Sequence, residues 1–411
     1  MFIFNEDQNS HYYLHRQLDL GSFSYKIFLC IAIASIKMKN RKKNNTFAAM
    51  DIDKNYMNMC LQLAKQGIKD VSPNPMVGCV IVHKGEIIGQ GYHQKYGEAH
   101  AEVNAINSVK AKSLLSNSTL YVNLEPCSHF GKTPPCSNLI IEHKIPKVVI
   151  GCIDTYSEVS GNGIKKLKDA RVEVIIGVLE RKSQELNKRF FNYHAKKRPY
   201  VILKWAKTQD GFIDVDRTDI EYLEKLKQET DLKNEEKPYN WITSNESKKL
   251  VHHWRTEVQA IMVGTNTAFN DDPQLTVRGI NEANNPLRVI LDLNLRLPDT
   301  LRVFNGSVPT IVLNYSKNEK RHNLEFIQIN KEKDLVSEIL NQLFELKVQS
   351  VLIEGGTKLL ETFIESNLWD EARVFTGIKE FSKGLKAPIL KQSPNTSLMF
   401  GEDHLDFFFN D

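Results

Sequence analysis

The stretch from His100 to Cys136 constrains this chain more than any other part of its sequence. It opens with the tripeptide His-Ala-Glu at residues 100–102 and later supplies two cysteines, Cys127 and Cys136. A catalytic zinc site uses three protein ligands and leaves the fourth tetrahedral position open. We therefore expect His100, Cys127 and Cys136 to bind Zn²⁺. Glu102 is placed to transfer protons without binding the metal, and is the expected catalytic residue.

The spacing of the two cysteines departs from the common signature of zinc deaminases, H-x-E followed by P-C-x-x-C, because eight residues separate them here. Pro134 and Pro135 suit the first turn of a helix, which predicts a helix over Ser137–His143 with Cys136 at its start. A thiol at that position loses its proton more readily, as zinc requires. A chance combination of a buried histidine, a surface glutamate and two core cysteines is one alternative. A closed structural zinc site is another, with His129 as fourth ligand.

Further segments support a family resemblance. Asn74–Gly78, Gly91–His93 and the loop Cys127–Cys136, together with the tripeptide at 100–102, resemble the bifunctional riboflavin-biosynthesis family, in which the cysteine spacing is long. That family couples a zinc-dependent pyrimidine deaminase to an NADPH-dependent reductase. The resemblance covers about residues 50–400 and implies Zn²⁺ and NADPH as cofactors.

Composition and length bound the class of protein. A chain of 411 residues with 41% apolar and 25% charged residues indicates a soluble globular protein of two domains. A net charge of +4 provides no concentrated basic face for nucleic acid. Six cysteines do not make a disulfide framework in so long a chain, which favours a cytoplasmic location. Residues 1–49 contain the apolar run Ile27–Ile36, too short to span a bilayer, and are predicted to be disordered or a mis-annotated extension.

The first domain is predicted to cover residues 50–197. Its strands alternate with helices, which indicates a three-layer α/β sandwich, similar to cytidine deaminase by the resemblance. The predicted strands are 77–82, 86–89, 119–124, 147–151 and 172–177. The predicted helices are 56–67, 99–109, 137–143, 161–170 and 180–197.

The second domain is predicted to cover residues 198–411, and the resemblance implies an α/β fold related to dihydrofolate reductase. The predicted strands are 201–204, 260–264, 287–291, 310–313, 350–353, 374–376 and 406–409. A helix follows Thr243 or Ser244, either of which can cap it. The connection Asp219–Lys237 is rich in Glu and Lys and is either a solvated helix, a mobile loop or a lid.

No G-x-G-x-x-G motif follows any of these strands, so a conventional Rossmann fingerprint is absent. The tripeptide Gly355-Gly356-Thr357 stands in its place, at a predicted turn from strand to helix. Glycines let the backbone approach a ligand, and free N–H groups at a helix start attract phosphate. Without the family resemblance, such a turn is more often only a turn.

The resemblance also implies ligand contacts at individual positions. In the deaminase domain it implies substrate contacts for Asn74 and His93, for which an Asx-type turn and a surface histidine are the alternatives. The implied NADPH contacts are Ala206, Trp241, Thr267, Asp271, Gly356, Thr357 and Lys358. The implied contacts to the ribosylamino-pyrimidine phosphate are Tyr239, Arg255, Leu275, Arg278 and Glu354. Leu293 stands where the family often has a small hydroxyl residue, which removes one expected cofactor contact.

The implied reactions are deamination of 2,5-diamino-6-ribosylamino-4(3H)-pyrimidinone 5′-phosphate, followed by reduction of the ribose to a ribitylamino group. Asp271 and Glu354 are the nearest candidates for the proton donor of the reduction. The rival is a deaminase that acts alone on a nucleobase or nucleic acid and carries a non-catalytic second domain. We expect small-molecule substrates, no nucleic-acid or membrane partner, and, from the family, a homo-oligomer.

Overall fold

The computed structural model describes residues 44–410, apart from residues 69, 131–133, 155–160, 230–240 and 282, and gives no side-chain detail for residues 44–50 and 225–229. Residues 53–411 form one compact unit, which contains both large sheets, one of five and one of ten strands. None of the helices in the described residues has the length and hydropathy needed to cross a bilayer.

The five-stranded sheet lies in the first half of the chain. Its elements are α1 (Asn44–Lys65), β1 (Gly78–His83), β2 (Glu86–Tyr92), α2 (Ala101–Ser108), β3 (Thr119–Leu124), α3 (Cys136–Glu142), β4 (Lys147–Cys152), α4 (Asn162–Asp169), β5 (Glu173–Ile176), α5 (Glu180–Leu186) and α6 (Lys188–Lys196). The strand order is β2-β1-β3-β4-β5. β1 pairs antiparallel with β2 and β3, whereas β3, β4 and β5 are parallel.

Both faces of this sheet are covered, because successive side chains along each strand point to opposite faces. Val80 and Tyr121 pack with Met57 of α1 on one face. Ile81 packs with Ala105 of α2 on the other, in a cluster that α3 and α4 complete. The predicted three-layer sandwich is therefore confirmed. The carboxyl end of β3 leads directly into the loop that carries Cys127.

The ten-stranded sheet belongs to the second half. Its elements are β6 (Tyr200–Lys207), β7 (Phe212–Val215), α7 (Ile220–Glu229), α8 (Asn245–Thr256), β8 (Ala260–Gly264), α9 (Thr265–Asp271), β9 (Leu287–Leu291), β10 (Thr310–Asn314), β11 (Glu319–Arg321), β12 (Leu324–Gln328), α10 (Leu335–Glu345), β13 (Ser350–Ile353), α11 (Thr357–Glu365), β14 (Glu371–Thr376), β15 (Gly384–Lys386), β16 (Thr396–Phe400) and β17 (Asp403–Phe409). The strand order is β11-β12-β10-β9-β8-β13-β6-β14-β17-β16, and β15 and β7 form a separate pair.

The middle of this sheet, from β12 to β14, is parallel, and its strands other than β12 are largely buried. Leu203 of β6 and Ile353 of β13 face a cluster that includes Phe363 of α11. On the opposite face, Trp254 of α8 packs with Phe375 of β14. The parallel strands thus end together at one edge, where β8 runs into α9 and β13 runs into α11.

Several predicted elements differ from the structure, and local contacts explain most differences. The predicted helix 180–197 is two helices, which are separated at Asn187. The Asn187 side chain accepts a hydrogen bond from the Met76 N–H at 2.8 Å and donates one to the Met76 carbonyl at 2.9 Å. α9 has poor helix formers, and burial of Ala268 in a core cluster stabilises it. Prediction also missed β7, β11, β12, β15 and β16, which are short or partly exposed.

α1 begins at Asn44, before the predicted start at Tyr56 and inside the segment 1–49 for which disorder or mis-annotation is predicted. Residues 1–43 of that segment lie outside the described residues. α7 occupies the first part of the connection Asp219–Lys237, and most of the rest of that connection also lies outside them.

A buried ionic cluster joins α6 to β14. Glu371 accepts hydrogen bonds from Arg373 Nε at 2.7 Å, from Lys188 Nζ at 3.2 Å and from the Tyr200 hydroxyl at 3.2 Å. Burial alone would raise the pKa of Glu371, but the Arg373 and Lys188 cations outweigh it and lower that pKa to about 2. Because the folded pKa lies below the ordinary value of 4.5, the ionised carboxylate stabilises the fold above that value. This stabilisation is lost as the pH falls toward about 2.

We predict that Glu371→Gln lowers the free energy of unfolding by about 3 kcal/mol at pH 7, because it leaves Arg373 buried without its partner. Denaturant unfolding of wild type and variant should show this difference shrinking as the pH falls below about 4.5. The exposed pair Lys165–Asp169 provides a control, since Asp169→Asn should leave the stability almost unchanged. Equal stability of Glu371→Gln and wild type at pH 7 would contradict the prediction.

Candidate active sites

The three expected zinc ligands meet where α2 and α3 begin. His100 immediately precedes α2, Cys136 is the first residue of α3, and Cys127 lies in the loop after β3. His100 Nδ1 lies 3.6 Å from Cys127 Sγ and 3.4 Å from Cys136 Sγ. All three ligand atoms lie within 4.8 Å of one another. Ligands bonded tetrahedrally to Zn²⁺ at about 2.0–2.3 Å are separated by similar distances, so this donor set fits zinc.

The backbone and side chains around Cys127 favour its thiolate form. Pro135 caps α3, and the backbone N–H of Cys136 donates a hydrogen bond to Cys127 Sγ at 3.3 Å. Hydrogen bonds from the Cys136 thiol, His100 and the Cys136 backbone lower the pKa of Cys127. Because zinc binds the thiolate, this arrangement favours the form of Cys127 that a metal needs.

Glu102 lies beside the three ligands, in the first turn of α2, and its side chain is almost fully buried at 3% exposure. Burial, assisted by the nearby Cys127 sulfur, raises the pKa of Glu102 to about 7. A carboxyl group with a near-neutral pKa can both accept and return a proton. His129 is exposed and is not part of the ligand cluster among the described residues, so it does not provide the fourth ligand of a closed structural site.

The structure brings Asn74 and His93 together next to the metal cluster. The His93 ring is 2% exposed, which is contrary to a surface histidine, and its centroid lies 5.4 Å from that of His100. His93 Nδ1 is 3.1 Å from the Ala99 carbonyl, and His93 Nε2 is 3.1 Å from Asn74 Nδ2. The amide of Asn74 is therefore held by a histidine that itself packs against a zinc ligand.

Glu125 forms hydrogen bonds that stabilise the loop carrying Cys127, a role that the sequence analysis did not predict. Its buried carboxylate accepts backbone hydrogen bonds from Gly161 at 3.0 Å and from Gly163 at 2.9 Å. These contacts attach the start of α4 to the segment that carries Cys127. The sequence feature that could have indicated this role is the position of Glu125, directly before Pro126-Cys127 at the end of a strand.

The second candidate site lies where β13 turns into α11. Gly355 has a φ of 122°, which only glycine adopts readily, and its carbonyl accepts a hydrogen bond from the Gly264 N–H at 3.2 Å. A β-carbon on Gly356 would lie 3.0 Å from Thr267 Oγ1. The expected cofactor residues Thr267 and Gly356 are thus neighbours, and the buried Thr357 and exposed Lys358 begin α11.

The remaining expected cofactor residues have varied surroundings. Ala206 lies on β6, and Asp271 at the end of α9 is bound by Arg217. Trp241 is not a core aromatic, because it is 46% exposed and lies under the Lys248 ammonium, 3.6 Å from the ring centroid. Leu293 packs against the hydrophobic core.

Arg255 and Glu354 form a buried bidentate pair beside this turn. Arg255 Nε and Nη2 donate to the two Glu354 oxygens at 2.8 and 2.6 Å, and Arg255 Nη1 donates to the Thr276 carbonyl at 2.9 Å. Burial alone would raise the pKa of Glu354, but the cations of Arg255 and Lys204 lower it to about 2. Glu354 is therefore an anion at neutral pH.

Lys204 is a further residue of this site that the sequence analysis did not identify. Leu203 pairs with Ile353 across β6 and β13, which places Lys204 opposite Glu354 on the face covered by α8. Burial lowers the pKa of the Lys204 ammonium, while Glu354 partly restores it. A lysine inside an otherwise apolar strand was the only signal in the sequence.

The other expected substrate residues differ in their exposure to solvent. Arg278 is exposed, and its backbone N–H donates to His252 Nδ1 at 3.2 Å. Burial and the cations of Arg255 and Arg278 lower the pKa of His252 to about 4. Leu275 is buried in a core cluster, and Tyr239 lies outside the described residues.

Comparisons with known proteins assign both halves. Residues 50–152 match the family model of the cytidine and deoxycytidylate deaminase zinc-binding region, and residues 199–377 match that of the RibD C-terminal domain. The chain is 41% identical over 339 residues to riboflavin biosynthesis protein RibD of Aquifex aeolicus, covering 82% of this chain and 89% of the relative. It is 31% identical over 344 residues to the Escherichia coli RibD, covering 80% and 88%.

Solved structures agree with these matches. A diaminohydroxyphosphoribosylaminopyrimidine deaminase/5-amino-6-(5-phosphoribosylamino)uracil reductase of Thermotoga maritima superposes with a TM-score of 0.77 at 35% identity, covering 88% of this chain and all of that one (100%). RibD of Acinetobacter baumannii gives a TM-score of 0.74 at 29% identity, covering 88% and 99%. The predicted pairing of a deaminase-like and a reductase-like fold is thereby confirmed.

We predict that Cys136→Ala reduces bound zinc well below one ion per chain, because the remaining two ligands bind zinc far more weakly. Elemental analysis of purified protein measures this directly. Glu102→Gln and His129→Ala should both retain about one zinc per chain, since neither side chain is an expected ligand. Stoichiometric zinc in Cys136→Ala would contradict the assignment.

Proposed function

The chain belongs to the RibD family of riboflavin-biosynthesis proteins, and we propose that it deaminates its substrate at the cluster of His100, Cys127 and Cys136. The protein is a bifunctional enzyme, a zinc-dependent deaminase and an NADPH-dependent reductase. The observation that carries the proposed deaminase site is the buried Glu102 beside three ligand atoms within 4.8 Å of one another.

In the deamination, Glu102 is the proton carrier. Zinc held by the three ligands supplies a Lewis acid that lowers the pKa of water to near 7. Glu102 accepts a proton from the attacking water, delivers it to a ring nitrogen and assists the departure of ammonia. Asn74 and His93 hold the base so that the ring carbon bearing the amine faces Glu102. The substrate is 2,5-diamino-6-ribosylamino-4(3H)-pyrimidinone 5′-phosphate, and the product is the corresponding aminouracil.

In the reduction, residues around the turn after β13 hold the cofactor and the aminouracil. NADPH would supply the hydride, which adds to C1′ of the ring-opened imine form of the ribosylamino group. A proton on the adjacent nitrogen then completes the ribitylamino group. Gly356 and the N–H groups that open α11 suit a phosphate of the cofactor, with Thr267 beside them. Ala206, Trp241, Asp271, Thr357 and Lys358 complete the proposed cofactor contacts. The arginines Arg255 and Arg278 suit the substrate phosphate, and Tyr239 and Leu275 complete that side.

Lys204 is the better candidate for the proton donor of the reduction. Glu354 is ionised between two cations and has no proton to give, and the Asp271 carboxylate already accepts a hydrogen bond from Arg217. The Lys204 ammonium carries a proton, and its lowered pKa makes the proton easier to release. We therefore assign proton donation to Lys204 and its orientation to Glu354.

The domain organisation and partners are part of the same proposal. A deaminase domain at residues 50–197 and a reductase domain at 198–411 are supported by separate sheets, over 78–176 and 200–409. Small-molecule substrates follow from the family. A cytoplasmic location and a homo-oligomeric state are proposed from the family resemblance and the cysteine content, without a membrane partner. The low net charge of +4 argues against a nucleic-acid partner. The rival of a lone deaminase is disfavoured, because the second half matches the RibD C-terminal domain.

We predict that Glu102→Gln lowers the rate of ammonia release from the diaminopyrimidine phosphate at least about 100-fold, because the proton carrier is lost. Reduction should be unaffected when the deaminated intermediate is supplied directly, as followed by NADPH oxidation. Normal ammonia release from Glu102→Gln protein with full zinc content would overturn this role.

We predict that Lys204→Gln lowers kcat for NADPH oxidation on the deaminated intermediate about 100-fold, with ammonia release unchanged. The wild-type rate should fall at high pH as Lys204 loses its proton, and the residual rate of Lys204→Gln should lack that dependence. A variant that raises only KM, with the wild-type pH profile, would show that Lys204 binds the substrate without donating the proton.

A further inference from the structure

Two glutamines of the reductase domain hold the loop that carries Asn74 of the deaminase pocket. Gln349 Nε2 donates to the Pro73 carbonyl at 2.7 Å, and the Ser72 hydroxyl donates to Gln349 Oε1 at 3.4 Å. Gln259 Nε2 also donates to the Ser72 hydroxyl. We propose that Gln349, supported by Gln259, is a positioning residue for deamination: from the reductase domain, it sets the place of Asn74.

The two glutamines are rigid because the sheet holds their backbones. They immediately precede β13 and β8, which are neighbouring parallel strands. The Tyr200 N–H donates to the Gln349 carbonyl at 2.9 Å, and the Leu287 N–H donates to the Gln259 carbonyl at 2.9 Å. The Gln349 N–H in turn donates to Gln259 Oε1. Gln349 is only 6% exposed, so water has little access to compete for its hydrogen bonds.

The other end of the loop is held from within the deaminase domain. Asn187 binds both backbone groups of Met76, and Asn123 accepts from the Gly78 N–H at 2.7 Å. Asn74 therefore lies between a support from its own domain and one from the reductase domain. Because its amide contacts His93 at 3.1 Å, a shift of Pro73 would move the amide relative to the metal cluster.

The reductase site should not respond to the same change. Gln349 lies at the amino end of β13, whereas Glu354 and Gly356 lie beyond its carboxyl end. The four residues of β13 span roughly 13 Å. Loss of the Gln349 amide should thus impair deamination selectively, although the altered residue belongs to the reductase domain. This inference rests on the proposed role of Asn74 in binding the substrate.

The test compares Gln349→Leu, Asn74→Ala and the double variant in the full-length zinc enzyme, with ammonia release as the readout. Gln349→Leu should raise KM for the diaminopyrimidine phosphate about fivefold to tenfold, with a smaller change in kcat. Asn74→Ala should raise KM at least as much. In the double variant, KM should match that of Asn74→Ala alone, because both changes act through one amide.

Two further variants separate positioning from general damage. Gln349→Glu keeps the size but loses the donor to Pro73, so it should behave like Gln349→Leu. Arg189→Ala is the matched control, because Arg189 also joins the domains, through the carboxylate of Glu257 at 3.5 Å, without touching the loop. It should leave KM for deamination unchanged. In every variant, zinc content and NADPH oxidation on supplied intermediate should equal those of wild type.

The outcomes distinguish the inference from the proposed function. An unchanged KM in Asn74→Ala would overturn the role of Asn74 on which the inference rests. A raised KM in Asn74→Ala, with normal KM in Gln349→Leu or fully additive effects, would overturn the inference alone. An equal rise in Arg189→Ala would also overturn it, since the cause would then be a loosened domain interface.

Discussion

The buried cluster of ionisable groups at the start of α2 and α3 is the constraint on which the deaminase domain depends. Two thiols, an imidazole and the carboxyl group of Glu102 converge here, and the charge of the Cys127 sulfur helps to raise the pKa of Glu102. Burying such groups together is costly unless a cation balances them. A divalent metal is that cation, so metal binding and the local fold stabilise each other.

Strand β13 connects the reductase turn with the contacts that support the deaminase loop. β13 runs from Gln349, which holds Pro73, to Glu354 and the two glycines of the turn. The reductase turn and the support of the deaminase loop therefore lie at opposite ends of one strand.

Sequence reasoning succeeded where the signal is local. The central strands are short apolar runs, and the structure reproduces strands such as Thr119–Leu124 and Ser350–Ile353. The convergence of His100, Cys127 and Cys136 could be predicted because these residue types, with Glu102, form a specific motif, even though the cysteine spacing departs from the common signature. The glycine turn could be located for the same reason, since it follows an apolar run and precedes a helical pattern.

The remaining features depend on which segments the fold brings together. Lys204 faces Glu354 only because β6 pairs with β13 in one register. Asn187 interrupts a helical stretch because its side chain forms hydrogen bonds with the backbone of Met76, which is far away in the sequence. The contact between Gln349 and Pro73 joins two domains. No pattern in a single segment carries such information, because each contact is specified by tertiary packing and not by propensity.

The central claim is that one chain performs a deamination and then a reduction, at two sites. A time course on purified zinc enzyme with NADPH and the diaminopyrimidine phosphate tests it, with ammonia and NADPH followed together. We expect one ammonia released and one NADPH oxidised per substrate, with ammonia appearing first. Oxidation of NADPH that precedes ammonia release, or that proceeds without it, would contradict the account.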